Sequence, residues 1–198
     1  MLPLLEVTLA QAAAYTADVW LAVPPDEPGP YEALASAYGA RVHRAPSGCR
    51  NEFESTRLAW SADGVNVLLL GDVYFTDAAL ACVFGRAAEG FRFFGRFGAS
   101  RITGTTWGEI FAQSWTDSAE MGRLTDEVRA EQDAGRADPT KHGWTMLRLL
   151  QDTPLREHAV YPPWWVEIDD ATDDIDFPDD YRRHPASRGL DEEGAACA

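Results

Sequence analysis

Val65-Asn-Val-Leu-Leu-Leu70 constrains this chain more than any other stretch. Its apolar residues are nearly consecutive rather than alternating, so a strand here needs cover on both faces, the usual condition of a parallel sheet flanked by helices. It runs into Gly71-Asp72, a close-approach residue followed by a carboxylate, and Thr76-Asp77 then opens a helix over Asp77–Phe84. Other strand signals are Asp18–Val23, stopped by Pro24-Pro25, Arg41–His43, Phe91–Phe94, Glu109–Trp115 and Trp164–Ile168. Helical patterns fall at Val7–Ala14, Gly29–Tyr38, Asn51–Trp60, Ser118–Ala134 and Gly143–Gln151. This alternation predicts an α/β fold: a three-layer α/β/α sandwich on a mostly parallel, mixed central sheet.

A length of 198 residues suits one domain. We expect it to span residues 1–183, with residues 184–198, which lack apolar periodicity, as a mobile tail. Trp20, Trp60, Trp115 and Trp165 sit in apolar segments and are expected in the core, and His43 is expected to be satisfied locally.

The net charge is −15. Such a surface repels phosphate backbones and anionic membranes, so neither nucleic acid nor a membrane is an expected partner. About half the excess sits in Glu167–Asp180, where E-I-D-D-A-T-D-D-I-D-F-P-D-D places eight carboxylates in fourteen residues without a Lys or Arg. Three cysteines without a C-x-x-C, and four histidines without zinc-type spacing, argue against a disulfide framework or a structural zinc. No apolar run approaches the ~18 residues of a membrane span. A cytoplasmic location is the expectation.

Ligands of open α/β sheets bind beyond the carboxyl ends of the strands, which makes Asp72 the first candidate. Asp77 is better placed to cap the following helix. The second candidate is Glu167-Ile168-Asp169-Asp170, where strand alternation sets Glu167 and Asp169 on one side. Brought near Asp72, they form a hard oxygen site suited to Mg²⁺, with Mn²⁺ as the substitute; the plain alternative is an exposed acidic loop. The third is the loop Gly95–Gly108, whose Arg96, Arg101, Thr103 and Trp107 suit an anionic or sugar-like ligand by forked hydrogen bonds and stacking. Lys141, His142 and Trp144 could line the same cleft. Cys49 has no evident His partner and is not expected to act as a nucleophile.

The order L-L-L-G-D-V-Y-F, then W-V-E-I-D-D, then D-F-P-D-D-Y resembles nucleotidyltransferases of the GT-A-like fold, especially the cytidylyltransferase-like branch acting on sugar phosphates or phosphocholine. The resemblance covers about Leu2 to Tyr181. It implies Asp72 and Asp169 as catalytic residues, a Mg²⁺ held by Asp72, Glu167 and Asp169 with Asp170 as a nearby substitute, and Arg96, Arg101, Thr103 and Trp107 around the substrate. Pro178-Asp179-Asp180-Tyr181 looks like the short closing helix of such domains. The implied reaction moves a nucleoside monophosphate from an NTP to a phosphorylated small molecule. The family's Gly-rich A-A-G-x-G-x-R loop has no counterpart, because Met1–Leu9 resembles the segment that follows it. A chain lacking that first strand and loop is expected to turn over weakly or not at all, and to cover its open edge by dimerising. Two alternatives remain open: a non-catalytic binding or regulatory domain, and a glycosyltransferase using a nucleotide-sugar, although Asp72-Val-Tyr74 does not match that group's usual D-x-D.

Overall fold

A computed structural model of the chain describes residues 4–27 and 29–184. The elements run α1 (Leu4–Ala13), β1 (Trp20–Val23), α2 (Tyr31–Ala37), β2 (Arg41–Arg44), α3 (Glu52–Thr56), β3 (Asn66–Leu69), β4 (Val73–Tyr74), α4 (Asp77–Arg86), β5 (Arg92–Arg96), β6 (Glu109–Trp115), α5 (Ser118–Asp133), α6 (His142–Gln151), β7 (Trp165–Glu167), β8 (Asp173–Asp174) and α7 (Pro178–Arg183). This is a mixed α/β architecture, as expected.

The sheet is not mostly parallel. The largest sheet has the order β3-β6-β5-β7, in which β3–β6 and β5–β6 are antiparallel and only β5–β7 is parallel. β1 and β2 form a separate parallel pair, and β4 pairs antiparallel with β8. The consecutive apolar residues of β3 report helix cover on both faces, which either strand direction satisfies. Val67 and Leu69 pack with α4 residues such as Leu80 and Val83, whereas Leu68 packs with Leu124 of α5 and Met146 of α6. Phe93 and Phe94 divide between the same two cores. Between Phe94 and Gly95 the β5–β6 register shifts and leaves Phe111 as the extra residue of a bulge, so that Phe111 and Ala112 both join the α4 side.

The β1–β2 pair has its own core of Leu9, Leu21, Val23 and Ala35. Trp115 is buried as expected, and Trp60 and Trp165 are partly buried against the α5–α6 core. Trp20 is not a core residue: it is 39% exposed, with the Arg41 guanidinium 3.9 Å from its ring centre. His43 Nε2 lies 2.9 Å from the Ser55 carbonyl, the local partner expected of it. Helix α4 is capped by Thr76, whose hydroxyl accepts from Ala79 N at 3.0 Å, rather than by Asp77. Cys49 is a free thiol. The expected mobile tail lies outside the described residues except for His184, which is buried against the Ala171 carbonyl at 2.7 Å. Among the described residues no helix is long and apolar enough to cross a membrane.

Candidate metal centre

The chain leaves β3 through Gly71-Asp72 and enters β4, which pairs with β8 in the register Val73↔Asp174 and Tyr74↔Asp173. Ile175 N donates to Asp72 O at 2.9 Å and extends that pairing by one residue. Side chains alternate along an extended chain, so Asp174 and Asp176 fall on one side and Asp173 on the other. The carboxylates of Asp72, Asp174 and Asp176 each bring an oxygen within 4.8 Å of the others. Oδ1 of Asp174 is buried and has no hydrogen-bond partner.

Packing like charges this closely opposes ionisation. The Asp174 carboxyl is pushed up to about 8, by burial first and then by Asp72, Asp176 and Glu109. Asp72 is also raised, through desolvation and then the charges of Asp176 and Glu52. Although the residue as a whole is solvent-exposed, its carboxyl sits among groups that crowd out part of its hydration. Glu109 rises to about 7 because burial outweighs the pull of Arg96. A hard divalent cation would reverse this balance, since it needs anionic oxygens and offsets their repulsion. The three-carboxylate donor set and the unpaired buried oxygen fit such an ion.

Behind the cluster, Arg96 is a buried clamp. Its Nη2 donates to Glu109 Oε2 at 2.7 Å and to Asp173 Oδ1 at 2.8 Å, Nη1 reaches Thr172 O at 3.4 Å, and Nε reaches Gly98 O at 3.4 Å. Its guanidinium lies 5.4 Å from the Phe111 ring centre. The Asp173 carboxylate also accepts from the Ser100 hydroxyl and from Thr103 N at 3.3 Å. This network folds the Gly95–Gly108 loop against β8.

Of the residues singled out in the sequence, Asp72 lies in the acidic cluster and Glu167, Asp169 and Asp170 do not. Glu167 accepts from Phe97 N at 2.9 Å and from Trp165 Nε1 at 2.6 Å. Asp169 is exposed, 3.7 Å from the still more open Arg101. Asp170 accepts from the Thr76 hydroxyl at 2.5 Å and from Thr172 N at 2.7 Å, tying the start of α4 to the strand region. Thr103 is buried, and its carbonyl accepts from Arg183 at 2.9 Å, whereas Trp107 stands 63% exposed. His142 pairs with Glu52 at 3.4 Å, and Trp144 stacks on Trp165. Asp180 Oδ2 accepts from Phe177 N at 2.9 Å and ties down the start of α7. Asp174 and Asp176 were not among the residues singled out, and the signal that marks them is the i, i+2 spacing of Asp174-Ile175-Asp176 inside the acidic run.

No protein-family model, curated protein or solved structure matches the chain.

Proposed function

We propose that the protein is a divalent-cation-dependent nucleotidyltransferase-like domain, transferring a nucleoside monophosphate from an NTP to a phosphorylated small molecule with release of pyrophosphate. The observation that carries this is the convergence of Asp72, Asp174 and Asp176, with a buried Asp174 oxygen left unpaired. Mg²⁺ or Mn²⁺ held there would supply charge neutralisation for nucleotide phosphates, which a −15 chain otherwise repels. Asp72 approaches from the end of β3 and the Asp174/Asp176 pair from the antiparallel strand beside it. Arg96 holds Asp173, and with it the register that aims Asp174 at Asp72. Arg101 and Trp107, the open members of the loop, are the groups left to meet an acceptor.

Pyrophosphate release, measured with each of the four NTPs, Mg²⁺ or Mn²⁺ and a panel of sugar phosphates, tests this. Activity with one pair, lost in Asp72→Asn, is the expected result; activity unchanged in that variant sinks the assignment.

A second function is favoured by one observation. Asp174-Ile175-Asp176 has the D-x-D spacing that Asp72-Val-Tyr74 lacks, which suits glycosyl transfer from a nucleotide-sugar. Metal-dependent thermal stabilisation by a nucleotide-sugar and by no NTP selects it. Stabilisation by neither class leaves a non-catalytic binding domain.

A further inference from the structure

Gln113 is a residue that packing alone does not explain. It lies on the central strand β6, opposite Leu68 of β3 and Phe93 of β5, and is only 2% exposed. Cross-strand partners share a face, so its amide points to the side of the sheet covered by α5 and α6. Its Oε1 is buried and has no hydrogen-bond partner. An amide oxygen stripped of water and left unpaired costs stability, whereas methionine would fill a similar volume without that cost.

Two further polar groups meet this amide at Gly143, in the first turn of α6. A Cβ on Gly143 would lie 3.5 Å from Gln113 Nε2, 3.9 Å from Glu52 Oε1 and 3.1 Å from Ile110 Cδ1. Glycine therefore lets α6 approach β6 closely and leaves the amide and the carboxylate bordering one point of the backbone. The other Glu52 oxygen, Oε2, lies 3.4 Å from His142 Nδ1, and both side chains are partly open to solvent. Glu52 is also near enough to Asp72 for its charge to be felt there, which sets the trio beside the metal centre.

A carboxylate, a primary amide and an imidazole include no fixed cation, so they are a poor seat for a phosphate. They suit hydroxyls, because glutamate accepts, glutamine both accepts and donates, and imidazole does either. We propose that Glu52, Gln113 and His142 form a subsite for the neighbouring hydroxyls of a sugar ring, in a substrate whose phosphate rests on the cation held by Asp72, Asp174 and Asp176. The proposal rests on the metal-dependent phosphate chemistry proposed above and adds the class of substrate. The ring belongs either to a phosphorylated sugar acceptor or to the ribose of the nucleotide, and a ring diol is the chemistry common to both.

Calorimetric binding to the whole chain with saturating Mn²⁺ tests this. The probes are glucose, galactose and mannose 1-phosphates with their 2-deoxy and 3-deoxy counterparts, and each NTP with its 2′,3′-dideoxy counterpart. At least about a tenfold preference for the hydroxylated member is expected within one probe type, and that type names the ring. Gln113→Met and Glu52→Gln should each cut the preference at least about threefold and leave the deoxy probe within about twofold, which separates hydroxyl recognition from a general loss of structure. Gln113→Met should melt no lower than the parent protein. Equal binding of hydroxylated and deoxy probes by the parent protein overturns the proposal. So does a preference that survives both substitutions, the result expected if a buried water alone serves Gln113. The metal centre is judged separately: Mn²⁺-dependent binding of an NTP that is lost in Asp72→Asn upholds that reading even where no hydroxyl preference exists, and no Mn²⁺-dependent binding of any probe overturns both.

Discussion

Asp173 and Asp174 are neighbours in the chain with opposite roles: Asp173 is completely buried and ion-paired with Arg96 at 2.8 Å, while Asp174 gathers with Asp72 and Asp176 and keeps an unpaired buried oxygen. One residue of strand register separates a carboxylate that stabilises the fold from one that costs stability unless a cation meets it.

The first consequence concerns pH. Asp174 and Glu109 titrate near 8 and 7, above the ordinary carboxylate range. Between that range and these values the folded state holds more protons than the unfolded state, so stability falls as pH rises and levels off above about 8. Urea denaturation of metal-free protein from pH 4.5 to 8.5 should show this decline, and Asp174→Asn should flatten it, raising stability at pH 8 by roughly 1–2 kcal/mol.

A second prediction follows for metal binding. Because the cation needs the ionised cluster, affinity for Mn²⁺ should rise with pH up to about 8 and binding should release protons. Calorimetry in buffers of different ionisation enthalpy measures both. Asp174→Asn or Asp176→Asn should weaken binding by about tenfold or more, while Asp169→Asn should leave it within about twofold. Equal losses for Asp169 and Asp174 would contradict the cluster.

Arg96 carries a third. Arg96→Met leaves Glu109 and Asp173 buried without their cation, a loss of about 3–5 kcal/mol in chemical denaturation. Arg101→Met, at an exposed pair, should cost less than about 0.5 kcal/mol.

A fourth concerns Gly95. A Cβ there would lie 2.1 Å from Glu109 O and 2.8 Å from Trp165 Cη2, so the strands must part to admit it. Gly95→Ala should destabilise by about 1–3 kcal/mol, read as a lower urea midpoint at unchanged slope.

Much of the element layout is legible in the residues, because burial on a strand or helix face leaves a periodic trace. Val65–Leu70, Glu109–Trp115 and Ser118–Ala134 all appear close to their observed bounds. Strand direction leaves no such trace, since helix cover and not orientation decides which positions are apolar, and the expectation of a mostly parallel sheet failed there. Asp72 stands out by its place after a buried strand. Asp174 and Asp176 do not, because β8 is two residues long and six other acids of the run surround them, so composition masks the period-2 signal. The burial of Arg96 was equally hidden, since its partners Glu109 and Asp173 lie 13 and 77 residues further along the chain.

The separate packing of Leu9, Leu21, Val23 and Ala35 also bears on how the molecule comes apart. Residues joined by one core open together, and residues in different cores need not. The segment from α1 to β2 shares no strand pairing with β3-β6-β5-β7 and meets the rest of the fold chiefly through side chains, such as Gln11 on Phe75 O and Asp77 and Tyr15 on Phe84. We expect it to open at a lower free energy than the sheet beside it, so that native-state amide exchange finds α1 to β2 losing protection before β3-β6-β5-β7 does.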